Sequence, residues 1–211
     1  MITDAATRTP EGREALLREL DHRVRNNLSV LLSMVMFQMR RPPESALAAL
    51  SRIAGQIMAL STVYDMTRGK SEGDYESAAK LCSSFIAKMN RELCPLCEIE
   101  FTSDGAAAEI PVEIARTLSI ALGDLLLDSS ERTARAGLPP RIKVLLAYEG
   151  DCRFSIKISD PAPREDDRLM APALARALGG EFRATGGPDF TERELTFSSA
   201  DSEGACRDLE P

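Results

Sequence analysis

One histidine, His22, is all the imidazole in this chain of 211 residues, and tryptophan is absent. A single imidazole excludes every site that needs two or more. That removes the His-Glu-x-x-His zinc proteases, the facial-triad iron sites and the multi-histidine zinc hydrolases. Long apolar runs are missing as well. The longest, Leu28 to Phe37, is broken by Ser29 and Ser33 and falls far short of the roughly 20 residues a membrane-spanning helix needs. The first dozen residues are polar and lack the apolar stretch of a secretory signal. Positive charge is in deficit: 26 Lys+Arg face 33 Asp+Glu, a net charge of −7. That balance argues against broad nucleic-acid binding. The 5 cysteines are odd in number and spaced without a disulfide framework. The expectation is a cytoplasmic protein with reduced thiols, no membrane anchor and no nucleic-acid partner.

What is present suffices for a core. Apolar residues make up 44% of the chain, and the length suits one or two domains. After a flexible N-terminus at 1–10, residues 11–41 read as one long helix. Leu17, Leu20, Val24, Leu28, Leu31, Val35 and Met39 recur at spacings of three and four. Pro42-Pro43 ends it, because proline lacks the amide donor and restrains the residue before it. A second helix over 44–68 carries a seam of Leu47, Leu50, Ala54, Ile57, Ser61 and Tyr64, widened by Ile53, Leu60 and Val63. The pair forms an antiparallel helical hairpin over 11–70. Both seams need covering. A second copy of the chain would do so as a dimeric four-helix bundle, and the C-terminal half is the alternative cover.

The polar linker Gly69-Lys70-Ser71-Glu72-Gly73-Asp74 marks a domain boundary. Beyond it, 75–91 looks helical and Cys97 to Thr102 alternates like a strand. Pro111 to Ala136 looks helical, with Pro111 suited to a first-turn position. Strands are expected at Arg141 to Tyr148 and Arg153 to Ser159, around the turn Glu149-Gly150-Asp151. Leu169 to Leu178 looks helical and stops at Gly179-Gly180. Short strands follow at Phe182 to Thr185 and Glu194 to Phe197. The fold class is therefore α+β, with a sandwich domain over 75–197 and a flexible acidic tail over 198–211.

On a helical wheel Ser29, Ser33, Arg18, Asn26 and Arg25 fall within about 60° of His22, and the apolar stripe lies opposite. A histidine kept for packing belongs on the apolar side, so this one is presented to a partner. Its neutral ring nitrogen is a competent nucleophile toward phosphorus. Arg18 and Arg25, one turn either way, could balance a phosphoryl group. Asp21 could hold the second ring nitrogen in one tautomer. The first helix has six Arg against four Asp+Glu over 11–41, so the surface around His22 is locally basic. The plain alternative is a solvated histidine with no role.

The string Glu19-Leu20-Asp21-His22-Arg23-Val24-Arg25-Asn26-Asn27-Leu28 resembles the phosphoacceptor box of bacterial sensor histidine kinases. The resemblance is to the subfamily reading His-Arg-Val-Lys/Arg-Asn-Asn-Leu. Arg52-Ile53 and Met58 to Tyr64 are similar to that family's second dimerisation helix, which usually carries a histidine where Tyr64 stands. The resemblance covers about 16–70 and implies a phosphoryl-accepting His22 on a dimeric hairpin, followed by an ATP-binding α/β sandwich. The sandwich departs from the pattern. The family's first nucleotide motif places Asn-Glu-Leu-x-x-Asn-Ala-x-Lys on a helix, the second asparagine holding magnesium. Here Gly123-Asp124-Leu125-Leu126-Leu127-Asp128-Ser129-Ser130-Glu131 stands in its place, with Asp128 for the magnesium asparagine and Glu131 for the lysine. An acidic side chain facing a triphosphate is repulsive without a bridging metal. The next motif, Asp-x-Gly-x-Gly, reads Asp160-Pro161-Ala162-Pro163-Arg164. It keeps only the aspartate that would meet the adenine amino group. Phosphate-approaching glycines are gone.

The scaffold thus looks like a degenerate ATPase-like sandwich that binds no cofactor of its own, with Asp128 and Asp160 as residual motif positions. The combination resembles dimeric histidine phosphotransferases of bacterial phosphorelays. It implies response-regulator receiver domains as partners, an upstream hybrid kinase as a possible donor, and magnesium supplied by the receiver. Arg18, Arg25 and Asn26 would support His22. Rival readings are an active kinase with a diverged ATP site and a non-catalytic module that sequesters a receiver or kinase. Cys94-Pro95-Leu96-Cys97 has the spacing of half a zinc site or a redox pair, but supplies only two of four zinc ligands. Its cysteines read as core or strand-edge residues.

Overall fold

Helix α1, Ala46–Met66, starts shortly after the Pro42-Pro43 break and runs for 21 residues without a proline. It is seen in a computed structural model that describes residues 28–29, 31–33, 35–36, 39, 46–66, 74–92, 94–104, 108–165 and 169–199. The chain divides into two compact units, Met1–Glu44 and Ser45–Pro211. In the first unit every described residue is helical, as the spacing of apolar residues predicts. Leu28, Leu32, Met36 and Met39 are exposed there. Ser33 Oγ donates to the Ser29 carbonyl one turn back at 2.9 Å.

The second unit continues with β1 (Tyr75–Ser77), α2 (Ala78–Glu92), β2 (Glu98–Asp104), β3 (Glu109–Pro111), α3 (Val112–Arg135), β4 (Arg141–Gly150) and β5 (Arg153–Asp160). It ends with α4 (Ala171–Ala177), β6 (Phe182–Gly186) and β7 (Thr191–Ser198). Five strands form one sheet in the order β2-β4-β5-β7-β6, and β1 and β3 form a separate antiparallel ribbon. Only β2 and β4 run parallel, with the α3 crossover between them; short turns join β4 to β5 and β6 to β7, while α4 and β6 intervene between the antiparallel neighbours β5 and β7. The mixed α+β class expected from the sequence is what folds.

Alternation builds the inner face. Ile142, Val144 and Leu146 of β4, Phe154, Ile156 and Ile158 of β5, and Leu195 and Phe197 of β7 are buried. The outer face carries cross-strand pairs such as Arg141 with Glu98 at 3.1 Å and Lys157 with Glu194 at 3.3 Å. Exposed pairs of this kind add little stability. Helix α3 is buried nearly all round between Leu118 and Ser129, because it packs against the sheet and also against α1. Gly123 stands where α1 and Phe85 of α2 both come close, and Phe85 leaves the least room. A Cβ there would meet Phe85 Cζ at 3.2 Å, Ala59 Cβ at 3.7 Å and the Gly55 carbonyl oxygen at 3.8 Å.

Three local expectations need correction. The helix expected over 75–91 begins with β1, because Tyr75–Ser77 pairs with Glu109–Pro111, and a long-range ladder overrides local periodicity. Pro111 sits one position earlier than the first turn, as the N-cap of α3 with φ −56° and ψ 145°. The β4–β5 turn shifts toward 151–152. Gly150, Asp151 and Cys152 all have positive φ there, at 82°, 48° and 59°. Cys152 is disulfide-bonded, so the thiols are not all reduced as expected. Cys82, Cys94 and Cys97 are free. The expected boundary at 69–74 and the tail lie, apart from Asp74, Ser198 and Ser199, outside the described residues. Among the described residues no helix is long and apolar enough to cross a membrane.

Candidate functional site

Arg18, Asp21, His22, Arg25 and Asn26 lie outside the described residues. Asp128 and Asp160, the two residual motif positions, are described, and the fold brings them together. Asp128 stands on α3 and Asp160 ends β5. Both are buried.

Three arginines meet them. Arg52 comes from α1, Arg132 from the turn of α3 after Asp128, and Arg193 from the inward face of β7. Their side chains are at most 3% exposed. Arg132 Nε donates to Asp128 Oδ2 at 2.9 Å, Nη2 to Asp160 Oδ2 at 2.5 Å, and Nη1 to Thr191 Oγ1 at 2.8 Å and the Pro163 carbonyl at 3.0 Å. Arg193 Nη2 donates to Asp128 Oδ2 at 2.6 Å and Nη1 to Ser129 Oγ at 3.2 Å. Arg52 Nη2 donates to Asp128 Oδ1 at 3.3 Å and also to Glu131 Oε2. The backbone N–H of Ala162 donates to Asp160 Oδ1 at 3.0 Å.

The cluster balances in charge: Arg52, Arg132 and Arg193 face Asp128, Glu131 and Asp160. Balance is what makes it tolerable, since an unpaired charge at such depth would be strongly destabilising. Burial alone would raise the Asp128 carboxyl, but Arg193, Arg52 and Arg132 outweigh it and hold the group below the ordinary carboxylate range. Burial pushes the Asp160 carboxyl up against the pull of Arg132.

One turn earlier on α3, Asp124 is buried and accepts from the backbone N–H groups of Met170 at 2.6 Å and Ala171 at 3.3 Å, at the start of α4. Burial, only partly opposed by the Met170 hydrogen bond, raises its carboxyl to about 6.

All four carboxylate oxygens of Asp128 and Asp160 thus accept hydrogen bonds from the chain itself. A magnesium ion at Asp128 would have to displace guanidinium groups, and so would an adenine amino group at Asp160. The side chains present do not fit a magnesium nucleotide at these positions. A groove of about 500 Å³ lined by Arg153, Phe154, Gly180, Glu181, Arg183 and Thr196 contains none of these residues. Among the described residues no group of three or more His, Cys, Asp or Glu is placed to hold a metal.

The sequence reading named Asp128, Glu131 and Asp160 and missed the arginines. Arg132 was within reach, because it stands four residues after Asp128 on a helix. Arg52 and Arg193 carry no local signal. They are 76 and 65 residues from Asp128.

Residues 19–93 match the family model HisKA_2, described as histidine kinase. The match is to histidine kinases. The matched span contains His22 and all of α1 and α2. Among solved structures, the chain resembles the blue-light activated histidine kinase EL346 of Erythrobacter litoralis, with TM-score 0.64 and 15% identity. That similarity covers 93% of this chain and 62% of the kinase, so this chain spans less than two thirds of the kinase's length. The separate histidine kinase domain of the same protein matches with TM-score 0.57 and 13% identity, over 82% of this chain and 94% of the domain. At these identities the shared property is the fold: a helical region and a mixed sheet arranged as in histidine kinase domains. No curated protein sequence matches the chain.

Proposed function

We propose that the chain is a homodimeric histidine phosphotransferase that relays a phosphoryl group through His22 between receiver-domain aspartates of a bacterial two-component system, in the cytoplasm. The observation that carries this reading is the arginine cluster. The chain resembles histidine kinases and retains the His22 box, yet the side chains that would meet magnesium and adenine are held by Arg52, Arg132 and Arg193.

In this reading a neutral His22 ring nitrogen attacks the phosphorus of an aspartyl phosphate on a docked receiver. The N–P bond forms, the acyl O–P bond breaks, and the aspartate leaves as carboxylate. The reverse step on a second receiver discharges the histidine. Transfer of this kind is mostly positioning and charge stabilisation. Arg18, Arg25 and Asn26 would contact the phosphoryl oxygens, and Asp21 would fix the imidazole tautomer. The receiver would contribute magnesium, which neutralises phosphoryl charge, so the chain needs no cofactor of its own. The partners are receiver domains, with a hybrid kinase as the upstream donor.

Exposed apolar side chains on both helices support the dimer. Leu50 is 62% exposed and Ile57 48%, with Ala54 and Ser61 exposed along the same stripe. The opposite face of α1 is the one that packs on α3. The seam expected on α1 is therefore left open for a second copy.

The test is incubation with labelled ATP alone, then with a phosphorylated receiver domain. Label from the receiver only, lost in His22→Ala, is the expected outcome. Label from ATP alone would replace phosphotransfer with autokinase activity. Receiver binding without label would leave a sequestering module. Calorimetry with ATP and magnesium should give no measurable heat of binding.

A further inference from the structure

The segment Cys94-Pro95-Leu96-Cys97 plays no part in the relay. It forms the tight turn between α2 and β2. The Cys97 N–H donates to the Cys94 carbonyl at 2.9 Å, and the Cys94 N–H donates to the Met89 carbonyl at 3.0 Å. With its amide nitrogen turned toward this loop, Asn90 donates to both cysteine carbonyls at 2.8 Å. A turn closed this way brings its first and last Cα atoms within about 7 Å, the range a disulfide spans.

Both cysteines are buried, and their thiols lie close enough to influence one another's ionisation. Cys97 Sγ also lies 3.1 Å from Ser130 Oγ on α3. Pro95 and Leu96 form an exposed tip above them, Leu96 at 89%. The two sulfurs are unequal. The hydrogen bond with Cys94 pulls the Cys97 thiol down to about 6, against burial and with help from Ser130, while the same bond drives Cys94 up. Cys82, buried like the other two, is a contrast within the same domain: burial alone acts on its thiol and pushes it up to about 12. A core cysteine of that kind is inert, whereas a stabilised thiolate beside a second thiol is the arrangement that exchanges.

We propose that Cys94 and Cys97 are a redox-active dithiol that closes to an intramolecular disulfide by exchange with a small disulfide of the glutathione type. The Cys97 thiolate attacks one sulfur of the small disulfide, whose S–S bond breaks to release one half as a thiolate. Cys94 passes its proton to that thiolate and attacks Cys97 Sγ, expelling the second half. Two protein thiols are oxidised by two electrons, and the small disulfide is reduced to two thiols. Because Cys97 leans on Ser130, the exchange occurs against the same turn of α3 that holds Asp128 and Arg132.

The full chain is equilibrated in glutathione buffers of rising oxidised fraction, quenched in acid, unfolded, alkylated and mapped by mass. The expected result is a peptide carrying Cys94 and Cys97 that loses two hydrogens and escapes alkylation, while Cys82 is still alkylated. In Cys94→Ser the disulfide cannot close, and the glutathione adduct should be trapped on Cys97. Full alkylation of Cys94 and Cys97 in oxidised glutathione overturns the proposal, as does a Cys94→Ser variant that carries no adduct on Cys97. The first measurement uses the unaltered chain, so a misfolded variant cannot mask the result.

Discussion

Arg132 Nη2 donates to Asp160 Oδ2 at 2.5 Å, and neither side chain is more than 1% exposed. One guanidinium thereby fastens α3 to the end of β5. Replacing it would leave Arg52 and Arg193 alone to balance the three acids Asp128, Glu131 and Asp160. Arg132→Met should therefore destabilise the fold by about 3–5 kcal/mol, read as a lower urea midpoint. A loss under about 1 kcal/mol would mean that the pair is marginal to the fold.

Asp128→Asn places in α3 the residue type of the nucleotide motif that this stretch resembles. With its carboxylate gone, three arginines face two acids, and the expected result is a loss of about 3 kcal/mol. Calorimetry with magnesium and ATP should remain flat. Recovery of nucleotide binding by this single change would show that the arginines are no obstacle.

The pH dependence has a separate source in Asp124. Its folded value of about 6 lies above the ordinary 3.8, so the folded state favours the protonated acid. The stability it contributes is complete below 3.8 and is lost as pH rises through about 6. Urea unfolding of the parent chain minus that of Asp124→Asn, from about pH 4 to 7, should fall across this window. A flat difference would contradict the assignment.

Leu50 and Ile57 are open to water on α1, so charging them should leave the sandwich intact. The variant carrying both Leu50→Glu and Ile57→Glu should keep its circular dichroism and show a mass near 23.0 kDa by light scattering. The parent should show twice that. A parent already at the single-chain mass refutes the dimer, and a variant that remains double moves the contact elsewhere.

Much of this fold was legible because its signals are local. The β4 and β5 strands were readable from alternation around glycine, and α3 from a long apolar repeat behind Pro111. The β1–β3 ribbon was not, because Tyr75–Ser77 gains its partner 34 residues or so downstream, and three residues carry no usable period. At the candidate site, Asp128 and Asp160 were found by comparing residue types at motif positions. The arginines that occupy them come from α1 and β7, and only the folded topology joins those segments to α3. The role of α1 was legible by half. Its apolar stripe was clear in the sequence, but that stripe gives no sign that the polar residues Arg52 and Gln56 on the other side are buried.

The close crossing at Gly123, Gly55 and Ala59 bears on cooperativity. With Arg52 inserted beside it, α1 cannot come away from α3 without stranding a guanidinium and baring a small-residue seam. A fragment ending after residue 70 would retain α1 and lose everything that α1 rests on. In unfolding, α1 should therefore report on the sheet that follows it in sequence. The helical residues that precede it belong to the other compact unit.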